Sequence, residues 1–252
     1  MEKLSSRQNK TIAHLRKLGT DKAYRHACGE GICDGMKLLR EALMWGVELV
    51  SVFWLGESEM TLPEGVKEYS LSSELMDYAS PLKNSPGPIF TFRMPDWDKT
   101  ESGRCLVLET IQDPGNLGAI IRTAEALGLS GLILSDGCCD VYNPKVLRSS
   151  MGGVFRMPLM RVGNMPDAVT ALQERGLTAY ACVVDADATR ITDVTMGSGS
   201  VAVIGNEGNG LKPETVAVCR HAVTIPMDGH AESLNASMAA GIILWEMTHP
   251  RN

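Results

Sequence analysis

Residues 201–214 read VAVIGNEGNGLKPE, and the order of textures within them decides the fold. Four apolar residues, mostly β-branched and too few for a helix, make a strand. Gly205, Gly208 and Gly210 then break the pattern. Lys212-Pro213-Glu214 opens a helix, since proline suits the first helical turn. A strand that ends in a glycine-rich loop and continues into a helix is a unit of an open α/β sheet, where ligands gather at the carboxyl ends of strands. Glu207 inside this loop reads as a buried acid. The spacing is G-x-x-G-x-G rather than the G-x-G-x-x-G of dinucleotide folds. No acidic ribose binder follows another strand about twenty residues later, so a nucleotide-dependent oxidoreductase is excluded.

The same alternation runs outward. CLVLE and GLILS flank the helical NLGAIIRTAEALG, and TAYACVV precedes the quoted strand with helical segments between. From Arg104 onward this predicts a mostly parallel sheet with helices on both faces. The N-terminal texture is different. Residues 6–18 place Ile12, Leu15 and Leu18 on one face of a short helix. DGMKLLREALMWG makes a second, with Met36, Leu38, Leu39 and Leu43 inward and Gly46 closing it. VELVSVFWL and GPIFTF read as strands. The expected organisation is a small α/β domain over residues 1–94, a polar, turn-rich linker over 95–103 (PDWDKTESG) and a larger α/β domain over 104–252.

Composition narrows the chemistry. With 252 residues, 44% hydrophobic and 21% charged, the chain has enough apolar material for a core. No apolar run approaches the ~20 residues that span a bilayer. The first residues lack the apolar centre of a signal peptide, so a cytoplasmic location is expected. None of the seven cysteines forms a C-x-x-C pair. His26, Cys28 and Cys33 are close in sequence but lack a fourth ligand, so reduced, mostly buried thiols and no metal are expected. The net charge of −6 argues against a nucleic-acid partner, yet its distribution argues for one. Residues 1–26 hold seven Lys or Arg against two acids, a balance of +5 that leaves −11 on the remainder. Arg7, Lys10, Arg16, Lys17 and Arg25 on this basic arm can follow a phosphate backbone.

Two further segments are unusual. In ETIQDPGNLGAIIRTAEALG (109–128), Asp113-Pro114-Gly115 turns the chain and Asn116 sits where a helix is capped. Arg122 follows less than two turns later, an unfavourable place for a cation because the helix dipole prefers anions there. It is either an exposed arginine on the polar face or a guanidinium aimed at a phosphate, which Arg engages through a forked geometry. In IPMDGHAESLNASMAAGIILWE (225–246), Ser233 and Asn235 stand at the mouth of a helix. Ala236, Ser237, Ala239, Ala240 and Gly241 behind them are small enough to let a ligand or another chain approach closely.

In order and context, these three segments resemble the signature motifs of the SpoU (TrmH-like) branch of the SPOUT methyltransferases, over about Arg104 to Arg251. The pattern N-x-G-x-x-x-R-[ST]-A fits Asn116, Gly118, Arg122, Thr123 and Ala124. G-x-E-G-x-G-[LM] fits Gly205, Glu207, Gly208, Gly210 and Leu211, and I-P-M-x-G-x-x-x-S-L-N-x-S-x-A fits Ile225 to Ala239. Ala236 stands where valine is usual. The resemblance implies an α/β fold of SPOUT type, a parallel sheet with a C-terminal trefoil knot, preceded by a small α/β substrate-binding domain. It implies transfer of a methyl group from S-adenosylmethionine to a ribose 2′-hydroxyl in RNA. Ribosomal RNA is the expected substrate because of the fused N-terminal domain, with transfer RNA as the alternative. The cofactor would lie against Gly205, Gly210, Ile225, Met227 and Leu234. Arg122 would be the central catalytic residue, with Asn116, Glu207, Ser233 and Asn235 fixing it and the ribose. The helix after Asn235 would pack across a homodimer interface. A non-catalytic RNA-binding protein on the same scaffold would be expected to lack Arg122 or Ser233-Leu234-Asn235, and this chain has both.

Overall fold

The structure, a computed structural model, describes residues 1–82, 85–95 and 103–250. The chain divides into two compact units, residues 1–96 with 140–155 and residues 97–139 with 156–252. Most of the expected linker lies outside the described residues. The segment 140–155, expected within the larger domain, clusters instead with the smaller one.

The first unit runs β1 (Glu2–Lys3), α1 (Lys10–Thr20), α2 (Lys22–Cys28), β2 (Glu30–Asp34), α3 (Met36–Met44), β3 (Leu49–Leu55), β4 (Lys67–Leu71), α4 (Ser73–Ala79) and β5 (Ile89–Arg93). Its mixed sheet has the order β1-β4-β3-β5-β2, with β5 antiparallel to both neighbours. Ile12, Leu15 and Leu18 of α1 are buried as their spacing requires, against Ile32, Phe53 and Ile89 of the sheet and Leu75 and Met76 of α4. Asn9 starts α1 by accepting from the Thr11 N–H at 2.8 Å. In α3 the buried face is Leu38, Leu39 and Ala42, leaving Met36 and Leu43 half-buried. Besides the two-residue β1, two strands were not legible. EGICD and KEYSL carry too many polar residues to alternate cleanly, and their sheet partners impose the extended form.

The 140–155 segment joins this unit through a buried charge. Arg25 is 3% exposed. Its Nε and Nη2 donate to Asp140 Oδ2 at 3.1 and 2.7 Å, and its Nη1 donates to the Leu18 carbonyl at 2.7 Å. The Tyr142 hydroxyl donates to the Pro95 carbonyl, and α6 (Pro144–Ser149) packs on β2. A sequence boundary drawn by texture misses this, because the tie spans 115 residues.

The second unit contains β6 (Cys105–Leu108), α5 (Pro114–Ala126), β7 (Gly131–Ser135), β8 (Leu159–Val162), α7 (Met165–Glu174), β9 (Thr178–Cys182), β10 (Thr189–Arg190), β11 (Ser200–Ile204), α8 (Pro213–Val218), β12 (His221–Thr224) and α9 (Ala236–Thr248). All seven strands pair in parallel, in the order β10-β12-β9-β11-β6-β7-β8. Cys105, Val107, Val201 and Val203 pack with Met165, Val169 and Leu172 of α7. Alternation sends Leu106 and Leu108 to the opposite face, where α5 and α9 lie side by side. Burial of strands on both faces explains their unbroken apolar runs. From β6 the chain moves outward through β7 and β8, and from β11 it moves the other way to β12. The β6/β11 junction is therefore the topological switch point, where a ligand crevice is expected. Among the described residues no helix is long and apolar enough to cross a membrane.

Candidate active site

The loops that leave the carboxyl ends of β9, β11 and β12 enclose a cavity of about 490 Å³. Its walls include Val183 and Val184, the whole Gly205–Leu211 loop, Ile225, Met227 and the Glu232–Leu234 entry to α9. All five expected cofactor residues, Gly205, Gly210, Ile225, Met227 and Leu234, line it. A volume of this size suits a small organic ligand. Its lining mixes polar residues such as Asn209, Thr224 and Ser233 with aliphatic ones such as Val183, Ile225 and Ile243, which suits a molecule with both a polar and an apolar part.

The glycines serve the loop's own fold. A Cβ on Gly205 would lie 2.2 Å from the Gly210 carbonyl carbon, and Gly210 itself has φ +67. Asn206 and Gly210 exchange both backbone hydrogen bonds at 2.9 Å, closing the loop on itself. Gly205 is thus required by the chain doubling back rather than by close approach of a ligand.

Beside the cavity lies a shallower cleft formed by Gln112, Asp113, Asn116, Glu207, Ser233, Leu234, Asn235 and Ala236. Here residues 119 positions apart meet: Asn235 Nδ2 donates to Asn116 Oδ1 at 2.9 Å. Asn116 Nδ2 donates in turn to Glu207 Oε1 at 3.1 Å. Asn235 caps α9, its Oδ1 accepting from the Ser237 N–H and hydroxyl at 2.9 and 2.7 Å. Glu207 and Ser233 border both cavity and cleft.

Three expectations for this region need correction. Glu207 is exposed, because the closed loop turns it outward to Asn116. Asn116 is not the helix cap: Asp113 takes that role, accepting from the Asn116 N–H at 2.8 Å, which leaves the Asn116 amide free to bridge Glu207 and Asn235. Arg122 borders neither the cavity nor the cleft and stands exposed on α5 with no partner among the described residues. Asn206, Gln112 and Asp113 were missed. The Asp-Pro pair was a readable cap signal, whereas Asn206 gave none, being one of two asparagines among the loop glycines.

The basic arm is corrected at one position. Lys10 and Lys17 are exposed, with Lys17 Nζ 5.2 Å from the Tyr24 ring centroid. Arg7 and Arg16 are exposed, each 4.7 Å from the Tyr78 ring, and Arg7 also pairs with Glu74. Arg25 cannot meet a phosphate, since Asp140 and the Leu18 carbonyl already hold its buried guanidinium. Among the described residues the cysteines form no disulfide, with Cys33, Cys105 and Cys138 buried and the other four half-buried. Among the described residues no group of three His, Cys, Asp or Glu side chains is arranged to hold a metal ion.

A cavity and a cleft at the carboxyl ends of parallel strands, with a closed glycine loop and a bridged Asn–Asn–Glu cluster, define a small-molecule site on an α/β scaffold. Residues 103–245 match the model of the SpoU rRNA Methylase family, and the chain belongs to that family. It is 31% identical to an uncharacterised tRNA/rRNA methyltransferase, slr1673, of Synechocystis sp., over 96% of this chain and 92% of the relative. It is 28% identical to the 23S rRNA (guanosine(2553)-2′-O)-methyltransferase RlmP of Bacillus subtilis, over 98% of this chain and 99% of that one. The solved SpoU methyltransferase AviRb from Streptomyces viridochromogenes, in complex with the cofactor AdoMet, superposes with a TM-score of 0.84 at 26% identity, covering 96% of this chain and 97% of its own. The α/β fold of SPOUT type expected from the resemblance, with its parallel sheet, is therefore the fold observed.

Proposed function

We propose that this protein methylates a ribose 2′-hydroxyl in ribosomal RNA, using S-adenosylmethionine held in the cavity behind the Gly205–Leu211 loop. The observation that carries the reading is the junction of that cavity with the Asn235–Asn116–Glu207 cluster, shared by Glu207 and Ser233. The cofactor supplies a methyl group already activated by its positive sulfur, so the protein's task is alignment and proton removal. Holding reactants in line is worth ~7–11 kcal/mol in well-oriented systems. Asn116, locked between Asn235 and Glu207, gives the cleft a fixed wall against which a ribose can be oriented. The Ser233 hydroxyl has no partner among the described residues and is free to bond the ribose. Arg122 anchors a neighbouring phosphate through its fork, and a guanidinium, which stays protonated in proteins, is a poor base.

The basic arm of the first unit contributes phosphate contacts through Arg7, Lys10, Arg16 and Lys17. A homodimer completes the molecule, supported by the exposed apolar face of α9. A trefoil knot belongs to the same reading, supported by the family match and the likeness to the solved SpoU methyltransferase. The test is mass spectrometry of ribose methylation in ribosomal RNA from cells with and without the gene. One 2′-O-methyl nucleotide disappears with the gene and returns with the wild-type copy. An unchanged methylation pattern in ribosomal RNA overturns the proposal, and a loss confined to transfer RNA reassigns the substrate.

A further inference from the structure

Glu109 lines neither the cavity nor the cleft, yet it is 1% exposed and lies immediately after β6 at the switch point. Its backbone N–H extends the ladder to the Ile204 carbonyl at 2.8 Å. Its carboxylate is satisfied entirely from across the junction. Oε2 accepts from the Lys212 N–H at 2.9 Å, and Oε1 accepts from the Thr215 hydroxyl at 2.8 Å. Lys212 is the N-cap of α8, but its own side chain makes no capping bond. A carboxylate from a distant strand does this work instead.

The next residue holds the other end of the same loop. Thr110 is left-handed, with φ +55, a conformation that a β-branched residue adopts only when its surroundings impose it. Its N–H donates to the Ser135 hydroxyl oxygen at 2.9 Å, and its carbonyl accepts from Asn206 Nδ2 at 2.9 Å. Asn206 Oδ1 gathers the Gly208 and Asn209 N–H groups at 2.9 and 3.0 Å. The glycine loop is thus tied at its start to Thr110 and at its exit to Glu109, two adjacent residues of one strand end.

We propose that Glu109 and the Thr110 carbonyl are positioning groups that hold the Asn206–Leu211 loop in the shape that receives the cofactor. The proposal rests on the reading of the cavity as the S-adenosylmethionine site. A buried carboxylate is costly to desolvate, and an apolar side chain could fill the same space. What such a side chain could not do is accept from Lys212 and Thr215 together. Without that tie the loop exit is free to shift, and the wall of the cavity shifts with it.

The test is calorimetric titration with S-adenosylhomocysteine, well below the unfolding temperature, so that only folded protein is read. The wild type, Glu109→Gln, Thr215→Val and Thr215→Ser are compared. Glu109→Gln presents an amide N–H to one of two donors and raises the dissociation constant by about tenfold. Thr215→Val, which removes only the hydroxyl, raises it several-fold, and Thr215→Ser restores it. In steady state the KM for the cofactor rises while the KM for RNA stays at the wild-type value. Wild-type dissociation constants for both Glu109→Gln and Thr215→Val, with only a lowered melting temperature, overturn the proposal and leave Glu109 a structural residue. Absence of binding by the wild type overturns the cavity reading instead.

Discussion

Arg122 is the residue whose role most needs a partner. It is exposed at the ninth of the thirteen residues of α5, clear of the first turn where the helix dipole opposes a cation, and it is unpaired among the described residues, so its guanidinium is open to a phosphate. Arg122→Ala is expected to lower single-turnover methyl transfer at saturating RNA by about 100-fold. Arg122→Lys recovers little, since an ammonium lacks the fork, and neither change alters cofactor affinity. A near-normal rate for Arg122→Ala makes it a binding residue only. The thiols behave oppositely, being shaped entirely by their surroundings. Burial pushes Cys182 up to about 12; burial first, and then the charge of Glu109, pushes Cys219 up to about 11. An unfolded thiol ionises near ~8.5, so on raising the pH the unfolded chain releases these protons first. Both folded values lie above the unfolded one, so their contribution to stability is complete below about pH 8.5 and lost as pH rises toward 11 and 12. Guanidinium midpoints are expected to fall over that alkaline range, and the Cys182→Ala, Cys219→Ala double variant flattens the fall. An identical slope in both proteins contradicts this.

At the scale of elements, α1 and α2 carry charge and core together. Ile12, Leu15 and Leu18 root α1 in the first unit, so deleting the arm would remove part of the core with the cations. Single substitutions separate the two roles. Lys10→Ala, Arg16→Ala and Lys17→Ala are each expected to flatten the log–log salt dependence of RNA binding by ~0.7–0.9, provided each touches one phosphate, with folding and cofactor affinity unchanged. Arg25→Ala acts on stability instead. It leaves Asp140 buried without its guanidinium partner and is expected to cost about 3–5 kcal/mol in chemical denaturation. An unchanged salt slope in all three exposed variants removes the arm from the RNA interface.

At the scale of the whole molecule, α9 is mostly apolar, with Ser237, Glu246 and Thr248 too scattered to make a polar face. Ala240, Ile243, Leu244 and Met247 face the sheet, while Met238, Ile242 and Trp245 are 62%, 37% and 54% exposed at helical spacing on the outside. A helix with no polar face is normally buried, and a second copy of the chain would bury this one. The protein is expected to sediment as a dimer at micromolar concentration. Met238→Glu with Trp245→Glu is expected to make it a monomer and to abolish methyl transfer. A wild-type monomer that is fully active across that range contradicts the dimer.

The central strands β6, β7, β9 and β11 of the second unit were legible because sheet burial on both faces leaves unbroken apolar runs, whereas β8 and β12, only partly buried, and β10, exposed, left no such run. The cofactor loop and the Asn116, Glu207, Ser233 and Asn235 set were named through the resemblance of three motifs to the SpoU family, and the structure brings those four residues to one cleft. The sequence alone therefore determined the fold class and which segments form the site. Only the tertiary structure decided how those residues are used: Asp113 as the helix cap, Glu207 outward, Arg25 inward, residues 140–155 with the first unit, and Glu109 as the tie across β6 and β11. Each depends on a partner about 90 or more residues away, or on a choice between two plausible caps. Hydrogen bonds to such partners leave no periodic trace along the chain, whereas burial on a strand or helix does.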